Sequence, residues 1–379
     1  MALTVGIIGL PQAGKTTLFN ALTSAGAQVS GYPTSTVQAN RAVVPVPDAR
    51  LDRLAEIYHP RKVVPTTVEF VDVAGMGQAS ETARREGLSA EFLGHIRNAD
   101  ALAIVVRCFA TAAAEPNAAS DLEELTAELA LTDLATEEKR LESTGKKAKS
   151  GDKKILEEME LLRRLRDHLG EGHPASALEH SSLDEAVLRE LFLLTMKPKL
   201  YVANVSEEQL GAAGELVERG TAGEATGELA QVARVVERAR SEGALVVAVS
   251  ARLEAELREL PAADADEYLA ALGLPKLGTE RVIQAGYHAL NLISFLTAGE
   301  DEVRAWTVTR GSKAPVAAGK IHTDFERGFI RAEVVSYDDL MAHEGAMKLA
   351  REAGKVRLEG KDYIVRDGDI VEFRFNVSK

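Results

Sequence analysis

Residues 9–16 carry the first pattern in this sequence that could perform chemistry. They read Gly-Leu-Pro-Gln-Ala-Gly-Lys-Thr, which matches Gly-x-x-x-x-Gly-Lys-Ser/Thr, and they follow a predicted strand and open a predicted helix. Glycines let successive backbone N–H groups face phosphate oxygens, and the N-terminus of the following helix favours negative charge. The alternative is a glycine-rich turn without a ligand, which the flanking elements argue against. The pattern therefore predicts a phosphate-binding loop.

Two side chains of this loop can act directly on a nucleoside triphosphate. Lys15 can reach the β- and γ-phosphates, and the hydroxyl of Thr16 can ligate Mg²⁺. The predicted reaction is Mg²⁺-dependent attack of water on the γ-phosphate. The residues predicted to bind the nucleotide here are Gln12, Ala13, Gly14, Lys15, Thr16 and Thr17.

An aspartate and a threonine further along complete the predicted metal site. Asp72 and Gly75 form Asp-x-x-Gly at the end of a predicted strand, where the carboxylate would hold Mg²⁺ through water and the Gly75 N–H would sense the γ-phosphate. On its own, this pattern is typical of an ordinary turn. Its position one strand after the phosphate-binding loop favours the role in metal and phosphate binding. Thr36, with Thr34 as its competitor, fits a switch-loop threonine that ligates Mg²⁺ only when the γ-phosphate is present.

Two later turns, each after a predicted strand, are expected to contact the base. Each turn alone could be an ordinary surface turn, but in this order they complete the rim of a nucleotide site. Val205 and Glu207 stand where guanine-specific proteins have the Lys and Asp of Asn-Lys-x-Asp. We therefore predict ATP binding at least as tight as GTP binding, and a shift towards GTP when both residues are replaced by Lys and Asp. The predicted base-site residues are Asn204, Val205, Glu207, Ser250 and Ala251.

The elements that position these residues alternate between strand and helix signals, which predicts a doubly wound α/β domain over residues 1–111 and 197–280. Residues 112–196 contain leucines at helical spacing on both sides of a basic segment at 143–154, which predicts an inserted antiparallel helical hairpin. Residues 281–379 read as short strands punctuated by glycine, with one helix. They form a predicted third domain of α+β type.

The amino-acid composition argues against several classes of protein. The 379 residues carry 45 basic and 58 acidic side chains, and a net charge of −13 argues against a protein that coats nucleic acid non-specifically. Cys108 is the only cysteine, so neither an intrachain disulfide nor a cysteine-rich zinc site is possible. The N-terminus reads as a strand and no apolar run would span a bilayer, so we expect a cytoplasmic protein without a signal peptide or membrane segment.

Six blocks of sequence resemble one known family over nearly the whole chain: residues 9–23, 105–109, 197–207, 298–308, 321–334 and 357–369. The chain is similar to the YchF, or Obg-like ATPase, branch of the translation-factor-related P-loop NTPases. The resemblance implies that residues 281–379 form a TGS domain, a ubiquitin-like β-grasp module. It also implies a preference for ATP and a regulatory role on the ribosome.

The group that activates water is left unassigned. The histidine that the family often carries after residues 105–109 is absent, because no histidine lies between His95 and His168. Met76 stands where Ras-like enzymes place a water-positioning Gln, which predicts slow intrinsic hydrolysis. Lys15 and Gly75 are predicted to stabilise phosphate charge. Gln12 and Ala13 replace the family's usual Asn-Val, and potassium dependence stays open.

The predicted function is thus that of a monomeric, Mg²⁺-dependent ATPase that acts as a nucleotide-controlled switch on the ribosome or one of its subunits. Its predicted ligands are ATP and ADP, and GTP and GDP are expected to bind more weakly or comparably. Two alternatives are a small-molecule phosphotransferase and a scaffold in which nucleotide is structural. RNA contact is predicted through the TGS domain or through a lysine-rich tip, which could equally be a solvated turn. The tip lysines are Lys146, Lys147, Lys149, Lys153 and Lys154.

Overall fold

The chain divides into two units, each made from two stretches of sequence. The first unit comprises Met1–Val43 and Glu69–Ala285, and the second comprises Val44–Val68 and Gly286–Lys379. The computed structural model describes residues 3–23, 28–29, 40–72, 90–112, 114–148, 152–220, 225–274 and 276–376.

The described strands are, in chain order, β1 (Thr4–Ile8), β2 (Gln28–Val29), β3 (Asn40–Pro45), β4 (Lys62–Val64), β5 (Thr67–Asp72), β6 (Ala101–Arg107), β7 (Lys199–Asn204), β8 (Leu245–Val249), β9 (Leu292–Ala298), β10 (Glu302–Thr309), β11 (Phe329–Ser336), β12 (Arg357–Glu359) and β13 (Asp369–Phe375). The described helices are α1 (Lys15–Thr23), α2 (Ala49–Tyr58), α3 (Ala90–Asn98), α4 (Ala118–Lys147), α5 (Lys153–Gly170), α6 (Ser182–Glu190), α7 (Leu210–Arg219), α8 (Gly227–Ser241), α9 (Ala251–Leu257), α10 (Ala262–Ala271), α11 (Gly278–Ala289), α12 (Ala314–Ile321), α13 (Thr323–Arg327), α14 (Tyr337–Met341) and α15 (Met347–Glu352). Short 3₁₀ helices lie at Ala175–Ala177, Leu194–Met196 and Glu207–Gln209. None of the helices in the described part of the chain combines the length and apolar character that crossing a bilayer requires.

Seven of the described strands form one mixed sheet in the order β2-β3-β5-β1-β6-β7-β8. β1 pairs in parallel with β5 and β6, β6 with β7, and β7 with β8, whereas β2 runs antiparallel to β3. The carboxyl ends of parallel strands meet at one edge of a sheet. The residues at and after the ends of β1, β5, β7 and β8 therefore lie along one edge, and these are the residues singled out in the sequence.

The helices α4 and α5 pack against each other between β6 and β7 in the chain. Arg140, near the end of α4, pairs with Glu158 at the start of α5, with 2.7 Å between Nε and Oε1, so the two helices are antiparallel. Asp133 on α4 accepts hydrogen bonds from the backbone N–H groups of Leu194 and Thr195 at 2.7 and 2.8 Å. These bonds cap the 3₁₀ helix that precedes β7, and they fix the return of the chain to the sheet.

Six of the described strands form a second sheet in the order β12-β11-β13-β9-β10-β4. β13 lies parallel to β9 in the centre, and β10 and β11 lie antiparallel to their neighbours β9 and β13. Helices α12 and α13 contribute to the apolar cluster on one side of this sheet, and α2 and α14 contribute to the cluster on the other. The second unit is therefore an α+β structure with a mixed sheet.

Residues 44–68 pack with the C-terminal stretch, whereas the sequence analysis assigned them to the nucleotide-binding domain. The reason lies in the amphipathic helix α2, whose Leu51 and Leu54 are buried in the apolar cluster of the second unit. Arg50 also pairs with Asp367, 317 residues away in the chain, with 3.0 Å between Nη1 and Oδ2. A contact between residues so far apart in the chain cannot be predicted from a local sequence pattern.

Glu137 on α4 is a buried carboxylate. Neither of its oxygens accepts a hydrogen bond from the described part of the chain. Burial raises the pKa of Glu137 from its usual 4.5 to about 7, against the opposing charge of Arg166. Between these two pH values the folded protein holds more protons than the unfolded chain, so the free energy of unfolding falls as pH rises through this window.

Replacing Glu137 by Gln should remove this pH dependence. We expect the free energy of unfolding of Glu137→Gln, relative to wild type, to rise by about 1–3 kcal/mol between about pH 4.5 and pH 8. Denaturant unfolding followed by helix circular dichroism at a series of pH values measures it. Glu138→Gln, at the exposed neighbouring position, is the matched control and should show no comparable rise. Parallel stability curves for wild type and Glu137→Gln would contradict this account.

Candidate nucleotide-binding site

The phosphate-binding loop depends on backbone conformations that favour glycine. Gly9 and Gly14 have φ angles of 155° and 93°, and Gln12 between them has a φ of 64°. A Cβ atom on Gly9 would lie 2.3 Å from the carbonyl oxygen of Val105, and one on Gly14 would lie 2.2 Å from Nδ2 of Asn204. Larger residues are excluded at both positions because the loop packs tightly against β6 and the end of β7.

The ammonium group of Lys15 lies across this loop. Its Nζ donates to the carbonyl oxygens of Gly9 and Leu10 at 2.9 and 2.8 Å. Partial burial lowers the pKa of Lys15, whereas the nearby charge of Asp72 raises it. The lysine is thus held beside backbone N–H groups at the start of α1, where a polyphosphate would meet both kinds of donor.

Asp72, the last residue of β5, presents a buried oxygen atom. Asp72 is 1% exposed, and its Oδ1 accepts no hydrogen bond from the described residues. Burial raises the pKa of Asp72, whereas a hydrogen bond with the Thr16 side chain and the charge of Lys15 lower it. A carboxylate and a hydroxyl are oxygen ligands of the kind that Mg²⁺ prefers. Asp72 and Thr16 therefore fit a Mg²⁺ ion beside the phosphate-binding loop.

The predicted switch residues lie outside the described residues. They comprise Thr36 with its competitor Thr34, Gly75, and Met76 at the position of the Ras-like Gln. Of the predicted metal ligands, the structure therefore describes Thr16 and Asp72.

Asn204, the last residue of β7, joins three loops through its side-chain amide. Its Nδ2 donates to the carbonyl oxygen of Ala13 at 2.8 Å, and its Oδ1 accepts from the backbone N–H of Ala251 at 3.0 Å. Asn204 is 4% exposed, so these are buried bonds. An amide nitrogen carries two hydrogens, and the second can be donated to a purine N7, which accepts in both adenine and guanine. The residue predicted to contact the base therefore also holds the phosphate-binding loop against the segment of Ser250 and Ala251 after β8, which we call the base loop.

A cavity of about 410 Å³ adjoins these loops. Its volume falls within the range of small-molecule sites. The cavity is lined by seven of the residues predicted from the sequence, namely Gly14, Thr17, Asn204, Val205, Glu207, Ser250 and Ala251. The structure adds residues that the sequence analysis did not assign, namely Phe109, Ala110, Ser206, Glu208, Arg252, Leu253 and Glu256.

The two residues that distinguish this site from Asn-Lys-x-Asp have different environments. The Val205 side chain is buried in the apolar core of the first unit, and its N–H donates to the carbonyl oxygen of Val249 at 2.8 Å. Because Val205 also lines the cavity, the shift towards GTP on replacing Val205 by Lys and Glu207 by Asp stays a prediction. Glu207 is partly exposed at the rim of the cavity, where its Oε1 accepts a hydrogen bond from the hydroxyl of Tyr268 at 2.6 Å.

Glu228, in the first turn of α8, links two rims of the cavity. Its Oε1 accepts from the backbone N–H of Ala110 at 3.1 Å, and its Oε2 accepts from the hydroxyl of Ser206 at 2.6 Å. One carboxylate thereby connects the segment after β6 with the segment after β7. The sequence contained no signal for this contact, because Glu228 lies outside every motif and reaches the site only through the packing of α8.

Comparisons with known proteins agree with this geometry. Residues 4–144 match a family described as 50S ribosome-binding GTPase, and residues 292–376 match the family YchF-GTPase_C, described as a protein of unknown function (DUF933). The ribosome-binding ATPases YchF of Bacillus subtilis and Haemophilus ducreyi are 45% and 46% identical, with full coverage of both chains in each case. The solved YchF GTPase of Schizosaccharomyces pombe is 32% identical, with a TM-score of 0.82 over 98% of this chain and 97% of that chain.

These similarities extend over the whole chain and include both units. The phosphate-binding loop, the buried Asp72 and the Asn204 bridge all lie on the mixed α/β sheet. This is the P-loop GTPase fold, and the chain belongs to the YchF family.

Proposed function

We propose that this chain is a Mg²⁺-dependent ATPase that binds the ribosome and responds to the nucleotide as a regulatory switch. The observation that carries the proposal is the convergence of Lys15, Asp72 and Asn204 at one sheet edge, beside a cavity of the size of a small-molecule site. Full-length similarity to ribosome-binding ATPases supports both the substrate and the partner.

The residues of this chain would act on the γ-phosphate mainly through electrostatics. Lys15 would exchange its bonds to the Gly9 and Leu10 carbonyls for bonds to phosphate oxygens. Its charge and the N–H groups at the start of α1 would then stabilise the negative charge that develops during attack by water. Gly75 would contribute a further N–H to the γ-phosphate.

Thr16 and Asp72 would hold Mg²⁺, Asp72 through water, and Thr36 would join them when the γ-phosphate is present. When bound, the ion neutralises charge on the β- and γ-phosphate oxygens. Hydrolysis is intrinsically slow, because Met76 cannot orient the attacking water.

The base site favours adenine because it lacks the carboxylate geometry that guanine requires. Guanine presents two adjacent donors, N1–H and the 2-amino group, to the Asp of Asn-Lys-x-Asp. Glu207 has an added methylene, and one of its oxygens already accepts from Tyr268. Leaving buried guanine donors unsatisfied costs about 1–3 kcal/mol, which corresponds to roughly ten- to a hundredfold in affinity.

Competition titrations against a fluorescent ATP analogue test this substrate assignment. We expect unlabelled ATP to compete at least as well as GTP, and Glu207→Asp to shift the preference towards GTP because its carboxylate is better placed for the two guanine donors. Lys15→Ala is the control for binding through the phosphate site and should lose most affinity for both nucleotides. A tenfold preference of wild-type protein for GTP would defeat the assignment.

The antiparallel pair α4–α5, which we propose as the inserted helical hairpin, offers a surface for ribosomal RNA at its tip. Lys146 pairs with Glu142 at 2.7 Å and Lys153 with Glu157 at 3.6 Å. Lys147 and Lys154 form no ion pair with the described residues. Lys149 lies outside the described residues. The uncompensated lysines would bind phosphate groups with release of counterions.

Charge reversal at the tip should weaken ribosome binding. We expect Lys147→Glu with Lys154→Glu to reduce co-sedimentation with ribosomes and to flatten its dependence on salt, since each lost phosphate contact removes about one released counterion. Lys139→Glu, an exposed position on α4 away from the tip, is the matched control and should bind as wild type does. If the tip variant and wild type bind equally across the salt series, residues 281–379, which we propose as the TGS domain, become the better RNA-binding candidate.

Two other functions would give different results. A phosphotransferase would transfer phosphate to a nucleoside or metabolite faster than to water, which a coupled acceptor assay would detect. A scaffold with structural nucleotide would keep ribosome association and every nucleotide response in Lys15→Ala. We propose the monomeric, cytoplasmic ATPase instead; the buried Asp72 carboxylate beside Lys15 and the full-length similarity to ribosome-binding ATPases support the hydrolase.

A further inference from the structure

We propose that Tyr268 is a positioning residue for base selection: its hydroxyl holds the Glu207 carboxylate at the cavity rim and thereby favours adenine over guanine. The inference rests on the proposed function and deepens it, since it names the side chain that sets the preference. Tyr268 belongs to α10, which lies outside the sequence motifs of the nucleotide site.

The contact is short and joins distant parts of the first unit. The Tyr268 hydroxyl donates to Oε1 of Glu207 at 2.6 Å, and the two residues are 61 positions apart in the chain. A bond from a hydroxyl to a carboxylate at this distance is charge-assisted and stronger than a neutral one. Tyr268 is 42% exposed, so packing of its ring in a core does not dictate the contact.

The surrounding charges keep this pairing intact. The Glu207 carboxylate raises the pKa of Tyr268, so the phenol stays protonated and able to donate near neutral pH. Arg252, which also lines the cavity, uses its Nε in an ion pair with Glu256 at 2.8 Å. Among the described residues, Tyr268 is therefore the side chain that hydrogen-bonds to Glu207.

The consequence for base recognition follows from donor and acceptor positions. A carboxylate that is free to face the base can accept from guanine N1–H and the 2-amino group with its two oxygens. Adenine has an acceptor at N1 and no 2-amino group, so the same carboxylate repels it. Each carboxylate oxygen can accept more than one hydrogen bond, so Tyr268 acts by fixing the orientation of the carboxylate: with Oε1 directed to the hydroxyl, the two oxygens are turned away from the two guanine donors and from adenine N1. One hydroxyl group thus acts against guanine and in favour of adenine.

Tyr268→Phe removes the hydroxyl and retains the ring. In competition titrations with ATP and GTP on the full chain, we expect GTP to bind about three- to tenfold more tightly than to wild type, with ATP binding unchanged or weaker. The measured quantity is the ratio of the two dissociation constants, which a general loosening of the cavity would leave unchanged. Tyr337→Phe, in the second unit, is the control for the same chemical change and should leave the ratio at its wild-type value.

A double-mutant comparison isolates the pair. In a Glu207→Ala background, Tyr268→Phe should leave the ratio unchanged, because the hydroxyl acts only through that carboxylate. If wild type prefers ATP and Tyr268→Phe keeps the same ratio, or lowers both affinities equally, the inference fails while the proposed function stands. If wild type itself prefers GTP tenfold, the proposed base preference fails and the inference fails with it.

Discussion

The side-chain amide of Asn204 is the constraint on which the nucleotide site depends. It donates to Ala13 in the phosphate-binding loop and accepts from Ala251 in the base loop, both as buried bonds. Its Nδ2 also approaches Gly14 so closely that only glycine fits there. Breaking the amide would leave buried backbone groups unsatisfied at a cost of about 1–3 kcal/mol each, and it would separate the loops that bind phosphate and base.

This arrangement follows from the order of strands in the mixed sheet. β1 and β7 flank β6, and β8 lies beside β7, so their carboxyl ends bring the two loops within reach of one amide. Asp72 ends β5 on the other side of β1 and faces Lys15 and Thr16. Along this edge, the residues proposed to bind phosphate and metal therefore lie towards β5, and those proposed to contact the base lie towards β8.

The phosphate-binding loop, Asp72 and Asn204 could be predicted from the sequence because each belongs to a short motif. The chemistry of such a motif depends on neighbouring residues, and its position at the end of a strand follows from the α/β fold. Glu228 and Tyr268 could not be predicted, because the packing of helices α8 and α10 places them at the site and no local sequence pattern encodes that packing. The same limit explains residues 44–68: the amphipathic pattern of α2 predicts a helix, but its apolar partners lie hundreds of residues away. Val205 is predicted as a base contact, and the structure places it both in the apolar core of the first unit and in the lining of the cavity.

We propose that the nucleotide bound at this edge controls association with the ribosome. Co-sedimentation of wild type and Lys15→Ala with ribosomal particles under ATP, under ADP and without nucleotide tests it most directly. We expect the bound fraction of wild type to differ between ATP and ADP, and Lys15→Ala to show the same bound fraction in all three conditions. Equal binding of wild type under ATP and ADP, or an undiminished nucleotide response in Lys15→Ala, would contradict it.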